Sequence, residues 1–141
     1  MQASSLVLIQ EKSISFYKLA SNNVTTGNYS CAAGDQMSFD SVAFDPQSPN
    51  VFLVVSKASN TVEIYEARGR GLKFKCKNQG RLQVPENLKV SGVRLSSSTE
   101  LAYLTFERSN KVAILPYDAR TMVKQLAGKR IRQGDLVELV G

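Results

Sequence analysis

The sequence has no histidine, no tryptophan, two cysteines and four prolines in 141 residues. Without histidine there is no Ser-His or Cys-His nucleophile pair, and the commonest transition-metal ligand is missing. Two thiols and no imidazole are too few for a four-ligand structural zinc site. Cys31 and Cys76 form no CxxC pair and read as two reduced, partly buried thiols of a cytosolic or nuclear protein. Asn23-Val24-Thr25 and Asn28-Tyr29-Ser30 match the glycosylation acceptor pattern and keep a secreted setting open. No apolar run approaches the roughly eighteen residues of a membrane-spanning helix. Met1 to Ile9 has no basic n-region, and Gln10 and Glu11 end its apolar run, so it does not read as a signal peptide.

What is present is ordinary globular material. Apolar residues make up 43% and charged residues 21%, enough to bury one core in a single domain spanning 1–141. The net charge of +6 is unevenly spread. Residues 1–67 carry three basic and six acidic side chains, a net of −3, and residues 68–141 carry fifteen and six, a net of +9. That asymmetry points to an acidic partner or to nucleic acid.

Along the chain the dominant pattern is short strands and short turns. Leu6-Val7-Leu8-Ile9 and Ser13 to Leu19 form a predicted hairpin around Glu11-Lys12, and Val24 to Ser30 is a polar edge strand after a turn at Ser21-Asn22-Asn23. Phe39 to Phe44 is a strand ended by Asp45-Pro46, with a turn over Gln47-Ser48-Pro49-Asn50. Val51-Phe52-Leu53-Val54-Val55 is a continuous apolar run, as expected of a strand buried on both faces. Thr61 to Ala67 and the alternating Leu72-Lys73-Phe74-Lys75-Cys76-Lys77 complete a four-stranded meander, which Asn78-Gln79-Gly80 stops. A second meander runs through Val90–Leu95, Leu101–Phe106 and Lys111–Tyr117, with Thr121 to Leu126 as its fourth strand.

The two meanders are copies. Ser59-Asn60-Thr61-Val62-Glu63-Ile64-Tyr65 returns as Ser109-Asn110-Lys111-Val112-Ala113-Ile114, and Val42, Leu53 and Val62 match Val93, Tyr103 and Val112 at offsets of 50 or 51. Ile14-Ser15-Phe16-Tyr17 precedes Val62-Glu63-Ile64-Tyr65 by 48 residues, a third copy lacking its first strand. The units are a partial one at about 4–30, full ones at about 38–78 and 89–127, and an extra terminal strand at about 131–140.

Val42-Ala43-Phe44-Asp45-Pro46 and Asn60-Thr61-Val62-Glu63-Ile64-Tyr65 resemble the first and third strands of a WD-repeat blade. The resemblance covers roughly residues 4–127 and implies an all-β fold of antiparallel four-stranded meanders arranged as blades of an incomplete β-propeller. The sequence departs from the family in having no Gly-His pair, and in carrying Tyr65-Glu66 and Tyr117-Asp118 where the family has Trp-Asp. Its period of about fifty is nearer the kelch length, but the kelch Gly-Gly pair is missing. Lactonase-like and NHL-like propellers are neighbouring patterns. Tyr65 and Tyr117 take the tryptophan position, which implies inter-blade packing. Propellers close with about four to eight blades, so further blades are expected from a partner or a longer chain.

No catalytic constellation is visible, and Asp40 and Asp45 read as turn and surface residues rather than an acid pair. No cofactor, metal, membrane or small-molecule substrate is expected. A lactonase-like hydrolase would need metal-ligating acids or histidines that this segment does not show. The candidate contact residues are basic: Arg68, Arg70, Lys73, Lys75, Lys77 and Arg81 around the fourth strand, and Lys129, Arg130 and Arg132 in a cluster that begins at Arg120 and Lys124. Lys73, Lys75 and Lys77 share one strand face, opposite Leu72, Phe74 and Cys76. The expected function is a non-enzymatic interaction scaffold of an intracellular, nuclear or cytoplasmic assembly. The alternative is contact with RNA in a ribosome-biogenesis or RNA-processing particle, mainly through its backbone, since few aromatics interleave the cations.

Overall fold

The β-branched and aromatic runs pair into three antiparallel sheets in a computed structural model that describes residues 5–19, 25–69 and 73–140. The Ser21–Asn23 turn, Arg70 and Leu72 lie outside the described residues. The first sheet holds β1 (Ser5–Gln10), β2 (Ser13–Leu19) and β3 (Thr25–Ala32) in that order. The middle sheet is β4 (Ser41–Asp45), β5 (Ser48–Ser56), β6 (Thr61–Arg68) and β7 (Lys75–Gln83). The last sheet is β8 (Val90–Ser96), β9 (Leu101–Phe106), β10 (Lys111–Pro116) and β11 (Leu136–Glu138). None closes on itself, so the all-β chain is an incomplete, propeller-like series of meanders. Among the described residues no helix is long and apolar enough to cross a membrane.

The middle sheet explains the continuous apolar run. Val51, Leu53 and Val55 on β5, with Val62 and Ile64 on β6, point toward the last sheet and join Ala102, Leu104, Ala113 and Leu115 in an aliphatic core. Phe52, Val54 and Tyr65 point the other way, where Ile14 and Phe16 of the first sheet meet them. This second core gathers five of the chain's six phenylalanines. Phe39 meets Tyr65 edge-on at 5.6 Å and 85°, and Tyr65 stacks on Phe52 at 5.8 Å and 13°, geometries that favour aromatic quadrupoles.

Each turn between the second and third strand of a full meander also holds the chain that follows the fourth strand of that sheet. Asn60, at φ 54°, donates its side-chain N–H to the Leu88 carbonyl at 2.9 Å and accepts the Val90 N–H at 2.9 Å. The equivalent turn of the first sheet accepts the Phe39 N–H at the Glu11 carbonyl, 2.8 Å, while the Lys12 ammonium donates to the Met37 carbonyl. In the last sheet the Asn110 carbonyl accepts the Leu139 N–H at 2.7 Å.

Five sequence expectations need correction. Thr121 to Leu126 is not a strand: Ala119–Thr121 is a 3-10 turn capped by Asp118, and α1 (Met122–Leu126) follows, burying Met122 and Leu126 one turn apart. The fourth strand of the last sheet is instead β11, from the tail, which pairs with β10. Asn78-Gln79-Gly80 does not stop β7. Tyr65 pairs with Asn78 and Ile64 with Gly80, so Gln79 is the extra residue of a bulge, and Gly80 takes φ 134°. The turn after β4 is Pro46-Gln47, and Pro49 sits inside β5, where no ladder partner is paired to it on either side. The two cysteines are not free thiols: Cys31 on β3 and Cys76 on β7 form a disulfide that ties the first sheet to the middle one.

Candidate functional site

The basic residues fall on both faces of β7 and along its outer edge. Lys75 and Lys77 stand exposed on the outer strand β7, with Lys73 exposed just before it, while Phe74 and Cys76 turn inward to the aromatic core. This is the two-faced strand that the alternation predicts. Residues 128–131 then run along the second half of β7. The Gln83 N–H donates to the Lys129 carbonyl, the Ile131 N–H to the Gln83 carbonyl and the Gly128 N–H to the Arg81 carbonyl. Lys129 and Arg130 are thereby brought beside Arg81, with Arg130 bridged in parallel to Gln83. Arg132 is exposed one step further on, its backbone N–H donating to the Asp135 carboxylate at 2.9 Å.

Arg68 lies opposite Lys75 in the β6–β7 ladder, on the same face of the middle sheet. It pairs with Glu66 at 3.1 Å and, together with Arg120 and Lys124, borders an open cleft of about 580 Å³ between β5, β6 and the start of α1. The C-terminal basic cluster is therefore split: its first two members join Arg68 and its next two join Arg81. Sequence proximity gave no sign of this, because it depends on the helical detour between β10 and β11. Arg70 lies outside the described residues.

Arg81 is not simply solvated. Its guanidinium lies 3.5 Å from Glu63, a fully buried carboxylate on the adjacent strand. Asn78 donates to the same Glu63 oxygen at 3.0 Å and the Thr61 hydroxyl donates to the other. A buried carboxylate without partners would be strongly destabilising, and these three donors satisfy it. Tyr65 nearby has its pKa pushed up, chiefly by burial, with the Glu63 charge adding to the shift.

A second buried carboxylate links the middle and last sheets. Asp45, expected at the surface, is 1% exposed. It accepts the Gln47 N–H at 2.8 Å and the hydroxyl of Tyr117, 72 residues away. Burial, reinforced by the hydrogen bond and charge of Asp45, pushes the Tyr117 hydroxyl well above the usual tyrosine range. The pair is a lock between neighbouring sheets, and the sequence holds no local signal for a partner so distant. Among the described residues, no group of three or more His, Cys, Asp or Glu side chains is placed to hold a metal ion.

The remaining surfaces of interest are the two ends of the stack. On the first sheet Leu6 is 53% and Leu8 45% exposed. They pair across the ladder with Tyr17 and Ser15, on the face turned away from the middle sheet. On the last sheet the face turned away carries Leu101, Tyr103 and Ile114 half-buried, and Val137 47% exposed opposite Val112. Leu139 and Val140 extend beyond it at 59% and 98% exposed. Apolar side chains are thus exposed at both ends of the stack. Comparison of the chain with protein-family models and with curated proteins finds no match.

Proposed function

We propose that the chain is a segment of a divergent WD-repeat-like β-propeller that acts as a non-enzymatic protein-interaction scaffold within a larger assembly. One observation carries this reading: both end faces of the stack leave large apolar side chains in solvent, where the two internal sheet-to-sheet contacts bury the corresponding ones. Cross-linking mass spectrometry of the assembly purified from its source tests it. Protein partners should cross-link around Lys12 on the first sheet and Lys111 on the last. Partners cross-linked only near Lys57 and Lys89, or none, would refute it.

A second reading, contact with RNA, is supported by Lys129 and Arg130 lying alongside Arg81 at the outer edge of β7, with Lys75 and Lys77 exposed further along the same strand on its other face. Arg68 and Arg81 already have carboxylate partners, so the lysines would carry most phosphate contact. Filter binding across a salt series decides it. A log–log slope of roughly −2 to −4, on single-stranded RNA, is the expectation for three to five neutralised phosphates. No binding at low salt removes the reading.

The disulfide bears on the cellular setting. A bridge between Cys31 and Cys76 favours an oxidising environment over the reducing cytosol or nucleus. Alkylation of the chain in intact cells decides between them: two labelled thiols mean a reducing compartment, and none means an oxidising one.

A further inference from the structure

The three sheets repeat not only their strands but also their two faces. Each has a trailing face, which meets the following sheet, and a leading face, which meets the preceding one. On the middle sheet the trailing face is Leu53, Val55, Val62 and Ile64, all 0% exposed against the last sheet. The repeat offset of 50 carries these positions onto Tyr103, Thr105, Val112 and Ile114 of the last sheet, and the ladder pairings agree, since Leu53 pairs with Ile64 and Tyr103 with Ile114. Among the described residues no other sheet packs on these positions, of which Thr105 is exposed, Tyr103 and Ile114 are half-buried and Val112 is 9% exposed.

The leading face behaves in the same way. On the middle sheet it is Phe52, Val54, Glu63 and Tyr65, between 0% and 5% exposed. On the first sheet Leu6 pairs with Tyr17 and Leu8 with Ser15, as Phe52 pairs with Tyr65 and Val54 with Glu63. Leu6, Leu8, Ser15 and Tyr17 are thus an uncovered leading face. Among the described residues the last sheet thus presents a free trailing face and the first sheet a free leading face, and the internal contacts show how such faces dock.

The rim is continuous as well. The turns at Glu11-Lys12 and Asn60 hold the chain just before it enters β4 and β8, the innermost strands of the next sheets. The turn at Asn110 holds Leu139 in the same manner. Among the described residues the first sheet has no strand in the lane that β4 and β8 fill elsewhere, so the edge of β1 borders that lane.

We infer that a second copy of this chain occupies both free faces. The trailing face of each copy packs on the leading face of the other, closing a twofold ring of six sheets. This rests on the propeller reading and deepens it by naming the partner surface. Two copies of three sheets give a count within the range in which propellers close, about four to eight blades. A head-to-tail contact that closes gives a ring of defined size, and one that does not close gives a filament.

Sedimentation velocity across a concentration series tests the inference. The expected result is a species of twice the chain mass that does not grow further with concentration. Leu8→Asp on the leading face and Ile114→Asp on the trailing face each place a charge in both junctions, and each should weaken the two-chain species roughly a hundredfold or more. Leu6→Asp serves as a second leading-face variant, and circular dichroism checks that each variant is folded. Mixing Leu8→Asp with Ile114→Asp chains should restore a two-chain species, because one junction then has two unaltered faces. A folded monomer at every concentration, open-ended growth, or a two-chain species indifferent to either substitution overturns the inference. A folded monomer that still shows the expected cross-links in its native assembly would overturn self-docking and leave the scaffold reading standing.

Discussion

Removing the Cys31–Cys76 bridge should cost this chain a large part of its stability. The two residues are 45 apart in sequence and join the outer strands of neighbouring sheets, β3 and β7. Closing a loop of that length removes denatured-state entropy worth about 4 kcal/mol at room temperature in the chain-entropy picture. Against a typical domain stability of roughly 5–15 kcal/mol, that is a substantial fraction. The native side of the balance changes little in a Cys31→Ala/Cys76→Ala chain. Cys31 is 1% exposed and both sulfurs sit against the aromatic core, so the substitution exchanges small apolar groups and leaves no buried polar atom unsatisfied. Urea unfolding followed by far-ultraviolet circular dichroism, on oxidised, reduced and double-alanine chains, measures the difference. The reduced and double-alanine chains should agree with each other and lie about 2–4 kcal/mol below the oxidised chain. Their m-values should be equal or larger, because an unlinked denatured chain exposes more surface. An unchanged midpoint, with thiol titration showing both sulfurs free, would refute the assignment of this bridge as a staple between sheets.

Three further outcomes follow from single contacts. Tyr117→Phe deletes the hydroxyl that donates to buried Asp45 and should lose about 1.5–3 kcal/mol in urea unfolding. Because the folded-state pKa of Tyr117 is raised, its contribution is complete below the ordinary tyrosine pKa of about 10 and is lost as pH rises toward the folded value. Wild-type stability should therefore fall in alkali more steeply than that of the Phe variant, and parallel curves would sink that account. Asn60→Gly keeps the left-handed turn and loses the two bridges to Leu88 and Val90, costing about 1–2 kcal/mol, whereas Asn60→Ala should cost about 1 kcal/mol more. In calorimetry, an Asn60→Gly chain as stable as wild type would show that the bridges do not matter, and Asn60→Ala no less stable than Asn60→Gly would show that the left-handed turn does not. Gly80→Ala would place a methyl 2.8 Å from the Ala127 Cβ in a backbone conformation at φ 134° that suits glycine. The expected loss is about 1–3 kcal/mol, with faster amide exchange in residues 122–131, and unchanged exchange there would contradict the close approach.

The parts of this fold that are legible in sequence are those with short-range causes. The run Val51–Val55 announces a strand buried on both faces because each side chain, odd or even, meets its own core. The repeat from Asn60 to Asn110 places six strands in register, since a period of about fifty preserves both the turn and the alternation. The errors arise where a distant contact overrides a local pattern. Met122-Val123-Lys124-Gln125-Leu126 stands where the repeat leads one to expect a fourth strand, yet Met122 and Leu126 are spaced for one helical face, and burial of both against the aliphatic core selects the helix. Gly80 reads as a stop until the close approach of Ala127 shows why β7 needs a residue without a side chain there. Asp45 does close its turn by accepting the Gln47 N–H, but its burial escapes a local reading because Tyr117, its other partner, is 72 residues away. Of the candidate contact residues, the exposed lysines of β7 follow from alternation alone. The union of Lys129 and Arg130 with Arg81 required the tail to fold back, which no local pattern encodes.

The strip formed by residues 128–131 along the outer edge of β7 has a consequence for synthesis. The main-chain groups of Arg81 and Gln83 that it occupies emerge well before their partners do. During that interval the nascent middle sheet presents an open strand edge from Arg81 to Gln83, while Lys75 and Lys77 already guard the earlier half by charge. Neighbouring chains on one polysome are then at their greatest risk of pairing edge to edge, and the risk ends only when the tail folds back. Slowing translation between residues 84 and 127 should therefore increase insoluble product, with the newly formed intermolecular contacts concentrated at residues 81–83 rather than at 75–77.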